Sequence, residues 1–152
     1  MEFFLGLLLS RLLFTPEFLG RTYSDEMSAV RIESAISNAL DMHEHRYNHA
    51  VVSGQQIVAI CALLKEVARC RALRNKFAHY LWMRVTDEEI TGHKMSGKPA
   101  TTKKDSDSLK MSIAEIAKAH TDSYALVKRL SEIVIAIPSV PEKRNLTSNG
   151  AR

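Results

Sequence analysis

The stretch Val67-Ala-Arg-Cys-Arg-Ala-Leu-Arg-Asn-Lys-Phe-Ala-His-Tyr-Leu-Trp82 gathers the side chains best able to act on a phosphodiester: Arg74, Asn75 and His79. Imidazole is the side chain that exchanges protons near neutral pH. Guanidinium is a permanent cation whose planar fork matches phosphate oxygens. An amide can orient either one. Arg71, Lys76 and Tyr80 flank the three and could bind the rest of a charged, base-bearing ligand.

The element that must position them is a helix. Leu64, Val67, Ala68, Leu73, Phe77, Ala78 and Leu81 recur at the three-to-four-residue spacing of a helix with one side against a core. Ser53-Gly-Gln-Gln56 has the form of a capping box and predicts its start, with its end near Trp82. On such a helix Arg71, Asn75 and His79 lie near one line, whereas Arg74 stands about 140° round from His79. Arg74 and His79 therefore meet at one atom only through arginine's reach, a distorted turn or a second copy of the chain.

A plainer assignment competes with this one. Arg74 could pair with Glu66 or Asp87, Asn75 could bond backbone, and His79 could pack. A rival constellation lies upstream in Asp41-Met-His-Glu-His-Arg-Tyr-Asn-His49, where Asp41, His45 and His49 fall at i, i+4 and i+8 and could ligate a metal. The zinc-protease order is absent there, and a solvated polar helix end explains the composition, so no metal is expected. Lys94, Lys98, Lys103 and Lys104 could collect phosphate, but no aromatic residues interleave to stack bases.

The remaining elements are read from pattern. A first helix is predicted from Glu2 to Leu13, apolar on nearly every side, and Thr15-Pro16-Glu17 reads as a capped short turn. Ser24 is expected to cap a second helix reaching Tyr47, with Ile32, Ile36, Leu40 and His43 on its buried face. The long helix is the third. After it, the alternation around Arg84-Val-Thr and Glu89-Ile-Thr is compatible with a short hairpin, and residues 96–108 read as a mobile loop. Ser112-Ile-Ala-Glu115 is a second capping box, opening a last helix to Ile137 whose stripe includes His120 and Tyr124. The expectation is an all-α fold: a four- to five-helix bundle over residues 1–137, compatible with a short β-hairpin after the third helix, then a disordered C-terminal tail over 138–152.

Composition bounds the function classes. A hydrophobic share of 45% in 152 residues supports one domain with a core, and a formal charge of +4 permits an anionic partner without requiring one. Cys61 and Cys70 lie on one predicted helix and cannot pair; two reduced, mostly buried cysteines suggest the cytoplasm. The apolar start is far shorter than the ~20 residues that span a bilayer, so a packed helix and no membrane association are expected.

The string Arg74-Asn-Lys-Phe-Ala-His79 on a long third helix resembles the signature of the HEPN superfamily, an arginine often followed by asparagine with a histidine four to six positions on. The resemblance implies a HEPN-like bundle and a metal-independent endoribonuclease, a hydrolase working as a homodimer without cofactor, with the two motifs facing one cleft. Arg74 and His79 match the family's arginine and histidine, and Asn75 its polar residue. Some family toxins carry a tyrosine two positions after the histidine; here that position is Leu81 and the tyrosine is Tyr80. The implied partners are RNA, a second copy and, in a toxin-antitoxin pair, an antitoxin protein. Many members of the superfamily are inactive, so a non-catalytic dimerisation or RNA/protein-binding module is the alternative.

Overall fold

In the computed structural model, which describes residues 1–94 and 108–140, the order is α1 (Glu2–Leu12), α2 (Glu17–Ser24), α3 (Ala29–His45), α4 (Gly54–His79), β1 (Tyr80–Arg84), β2 (Glu89–Lys94), β3 (Ser108–Ser112) and α5 (Ile113–Ala136). The all-α expectation is overturned. A three-stranded antiparallel sheet, ordered β1-β2-β3, accompanies the helices, so the fold is mixed, though mostly helical. The physical reason is the alternation of Tyr80-Leu-Trp-Met-Arg84 and Ser108-Leu-Lys-Met-Ser112, which puts Tyr80 and Trp82, and Leu109 and Met111, on common faces of short strands. The expected third helix therefore stops at His79, and Tyr80 to Trp82 belong to β1. Lys98, Lys103, Lys104 and the tail from residue 141 lie outside the described residues.

The chain divides into two units: residues 1–61 with the stretch from Leu130 onward, and residues 62–129. In the first unit α1 is the hub, packing against α2 and α3. Leu5, Leu8, Leu9 and Leu12 are buried, each contributing roughly 1.5–3 kcal/mol. Its opposite contact is made of small residues. A Cβ on Gly6 would meet Ser24 Oγ at 2.6 Å, and one on Gly20 would meet Ser10 Cβ at 2.6 Å, so α2 lies close against α1. Arg11 ties down the end of α5 by donating to the carbonyls of Val134 and Ile137 (the latter at 2.7 Å), while also pairing with Glu17. Thr15 does not cap α2; its hydroxyl donates to the Ser10 carbonyl. Nor does Ser24 cap the next helix: it ends α2, and Ser28 caps α3.

His43 sits on the buried face of α3, 1% exposed, with Nε2 2.9 Å from the Leu12 carbonyl. A carbonyl only accepts, so Nε2 donates to it, and Nδ1 has no hydrogen-bond partner among the described residues. Both predicted capping boxes close: Ser53 N–H donates to Gln56 at 2.8 Å, and Ser112 N–H donates to Glu115 at 2.8 Å. No helix among the described residues is long and apolar enough to cross a membrane.

Candidate functional site

The second unit carries the motif. Its core comes from Leu63, Leu64 and Val67 of α4 and Leu126 of α5. The buried side of α5 is rotated from the expected stripe: Ala119, Ser123 and Leu126 turn inward, while His120 is exposed rather than packed and Tyr124 is 74% exposed. Cys70 Sγ lies 3.0 Å from Ser123 Oγ, a close approach that a larger side chain would prevent. Ser123 Oγ already donates to the Ala119 carbonyl at 2.7 Å, so the Cys70 thiol is the donor in this contact. Cys61, expected to be mostly buried, is exposed, and Cys70 is half-buried.

At the far end of α4, Arg74, Asn75, Lys76 and His79 are all exposed. The two acids that could have neutralised Arg74 are engaged elsewhere. Glu66 accepts a two-pronged contact from Arg129, at 2.7 and 3.0 Å, which holds its carboxyl below the usual glutamate range. Asp87 pairs with Arg84. Among the described residues the side chains of Arg74, Asn75 and His79 make no ion pair or hydrogen bond. The plainer assignment, with Arg74 on Glu66 or Asp87 and His79 packed, is not the arrangement found. Arg71 is half-buried and engaged by a neighbour.

His79 is the last residue of its helix, and the strand that continues from it fixes where it stands. Trp82 Nε1 donates to the Phe77 carbonyl at 3.1 Å, and the two rings stack at 4.8 Å and 23°. Tyr80 lies on the same face of β1, its ring 6.1 Å from that of Trp82. Across the strand pair Trp82 faces Gly92, and a Cβ there would stand 2.8 Å from the indole. Phe77, Trp82 and Gly92 thus clamp the helix-to-strand junction on either side of His79. In the apolar stripe Phe77 faces a helix core; the signal for the clamp is an aromatic pair five residues apart, Phe77 and Trp82, with a lone glycine, Gly92, downstream.

Within one chain the three side chains do not converge. The helix runs unbroken to His79. Its regular geometry separates Arg74 from His79 by about 7.5 Å along the axis and about 140° around it. Asn75 is on the His79 side. The arrangement offers an exposed proton-transfer group beside an amide, with the exposed guanidinium of Arg74 on the neighbouring face. Asp41, His45 and His49 are not brought into line, because α3 ends at His45 and His49 lies beyond it in a left-handed conformation, φ 60°. Among the described residues no group of three or more potential ligands is placed to hold a metal ion.

Compared with protein-family models, curated proteins and solved structures, the chain matches none.

Proposed function

We propose that this protein is a cytoplasmic, metal-independent endoribonuclease of HEPN type, in which two copies bring Arg74, Asn75 and His79 to one RNA phosphodiester. The observation that carries the reading is the availability of the three side chains: exposed, at the end of one helix, and unengaged among the described residues. A buried or neutralised trio could not reach a polymer.

The groups define the chemistry. The RNA 2′-oxygen attacks the adjacent phosphorus, an O2′–P bond forms, and the P–O5′ bond breaks. His79 accepts the 2′-hydroxyl proton, and an imidazolium returns one to the departing 5′-oxygen. Arg74 binds the non-bridging oxygens where negative charge grows. Asn75 orients phosphate or ring. Lys76 and Tyr80 lie beside the trio to hold flanking phosphate or base.

Labelled single-stranded RNA incubated with purified protein and excess chelator is expected to yield 2′,3′-cyclic phosphate and 5′-hydroxyl ends. Intact RNA, or ends bearing 5′-phosphate, would sink the mechanism. The wide angle between Arg74 and His79 in a single copy favours one second reading, a module that grips RNA without cutting it. Intact RNA bound in proportion to Arg74 would point there. In the toxin version, strong expression slows growth, Arg74→Ala relieves it, and a neighbouring gene supplies the antitoxin.

A further inference from the structure

Attack by the 2′-oxygen needs two proton carriers in one step, a base for the attacking hydroxyl and an acid for the departing 5′-oxygen, and a single imidazole cannot be both at once. The sheet of the second unit brings another imidazole to the helix-to-strand junction. β1 and β2 pair with Leu81 opposite His93 and Trp82 opposite Gly92. The indole of Trp82 lies over Gly92, and the Tyr80 ring stacks on the same side. Alternation along the strands therefore puts Leu81 and His93 on the other face. Phe77 stacks on Trp82 and so marks the indole side of the helix end. His79 stands about 200° round α4 from Phe77, which turns it toward the face that carries Leu81 and His93. Two residues before Leu81, it is a diagonal neighbour of His93, at a Cα separation of about 7–8 Å. That distance leaves room for one phosphate between the two rings.

His93 is half-buried, and its ring makes no hydrogen bond or ion pair among the described residues. Across the strands it has Leu81 and Ser108, and along its own strand Thr91, so no carboxylate on that face competes for its proton. We infer that His93 is the general acid of the proposed ribonuclease. As the O2′–P bond forms, His79 takes the 2′-hydroxyl proton; as the P–O5′ bond breaks, His93 gives its own proton to the departing 5′-oxygen. One turnover leaves His79 protonated and His93 neutral, and exchange with water restores both. The inference rests on the nuclease reading and adds to it a second proton carrier from the same chain.

Two substrates separate an acid from a scaffold residue: an RNA cut by the wild-type chain, and the same RNA with sulfur in place of the departing 5′-oxygen at the cleaved linkage. An alkoxide needs a proton to leave, whereas a thiolate leaves without one. In His93→Ala, cleavage of the ordinary RNA is expected to fall about a hundredfold or more with RNA affinity near wild type, while the sulfur-bridged RNA is cut within about threefold of the wild-type rate. His79→Ala, which removes the base, should slow both. His93→Gln, closer in size to histidine, should show the same split, and carries the test should the alanine variant lose its circular dichroism spectrum. Undiminished cleavage of ordinary RNA by the His93 variants, or an equal loss on both substrates, overturns the inference and leaves the nuclease standing. A wild-type chain that cuts no RNA removes the nuclease reading itself, and the acid with it.

Discussion

Arg74 is available because Arg129 and Arg84 occupy the acids near it in sequence. That is the residue-scale basis of the site, and it makes a prediction through Glu66. Arg129 lowers the carboxyl's pKa in the folded state, so the stabilisation is complete above the unfolded range, about 4.3, and is lost as pH falls through the lower folded value. Glu66→Gln should cost up to about 1 kcal/mol at pH 7, the scale of an exposed pair, and progressively less in acid. Urea midpoints of both proteins at neutral and strongly acid pH check this; a difference that grows on acidification contradicts it. His43 offers a second check. Replacing it with Leu leaves the Leu12 carbonyl without its donor and should cost about 1–3 kcal/mol in the same assay. The histidine on α3 was legible as buried because Ile32, Ile36 and Leu40 set its phase. His120 was misassigned: it falls in the stripe's helical phase yet is exposed, and local periodicity could not show that Ala119, Ser123 and Leu126 turn inward instead.

At the scale of elements, the starts of α4 and α5 were legible, whereas the start of α3, the end of α4 and strand β3 were not. The two capping boxes announce α4 and α5 because the cap is a local exchange of hydrogen bonds between Ser and Gln or Glu three residues on. The end of α4 is set by a tertiary clamp instead. Tyr80-Leu-Trp82 carries no stop signal, and helix phase continues through Leu81, so only the Trp82 stack on Phe77 and its seat over Gly92 reveal the strand. β3, five residues preceded by a polar stretch of Ser, Thr, Lys and Asp with one Gly and one Pro, offered too short an alternation to separate from loop. Gly92→Val tests the clamp: the added branch collides with the indole, and the indole must move or the strands separate. We expect a red-shifted tryptophan emission, destabilisation of about 1–3 kcal/mol and loss of RNA cleavage, although residue 92 belongs to none of the trio. Unchanged emission would mean that the clamp does not hold the junction.

At the scale of the whole molecule, a mild positive charge and the Arg74 guanidinium of one copy are too little to organise a phosphodiester alone, so the account needs two copies. Cleavage per chain should then fall on dilution through the dimer's dissociation. The resemblance that suggested RNA rests on six residues, Arg74 to His79; the rest of the chain contributes a mostly helical scaffold with a sheet of which the pattern announced the β1–β2 hairpin but not β3. The most direct measurement sets cleavage against binding in one preparation: single-turnover cleavage and RNA affinity of wild type, His79→Ala and Arg74→Ala, with chelator present. Proton transfer by His79 requires a loss of about a hundredfold or more in rate with RNA affinity nearly unchanged, and phosphate binding by Arg74 requires a loss in both. A His79→Ala protein that cuts RNA at the wild-type rate would contradict the account.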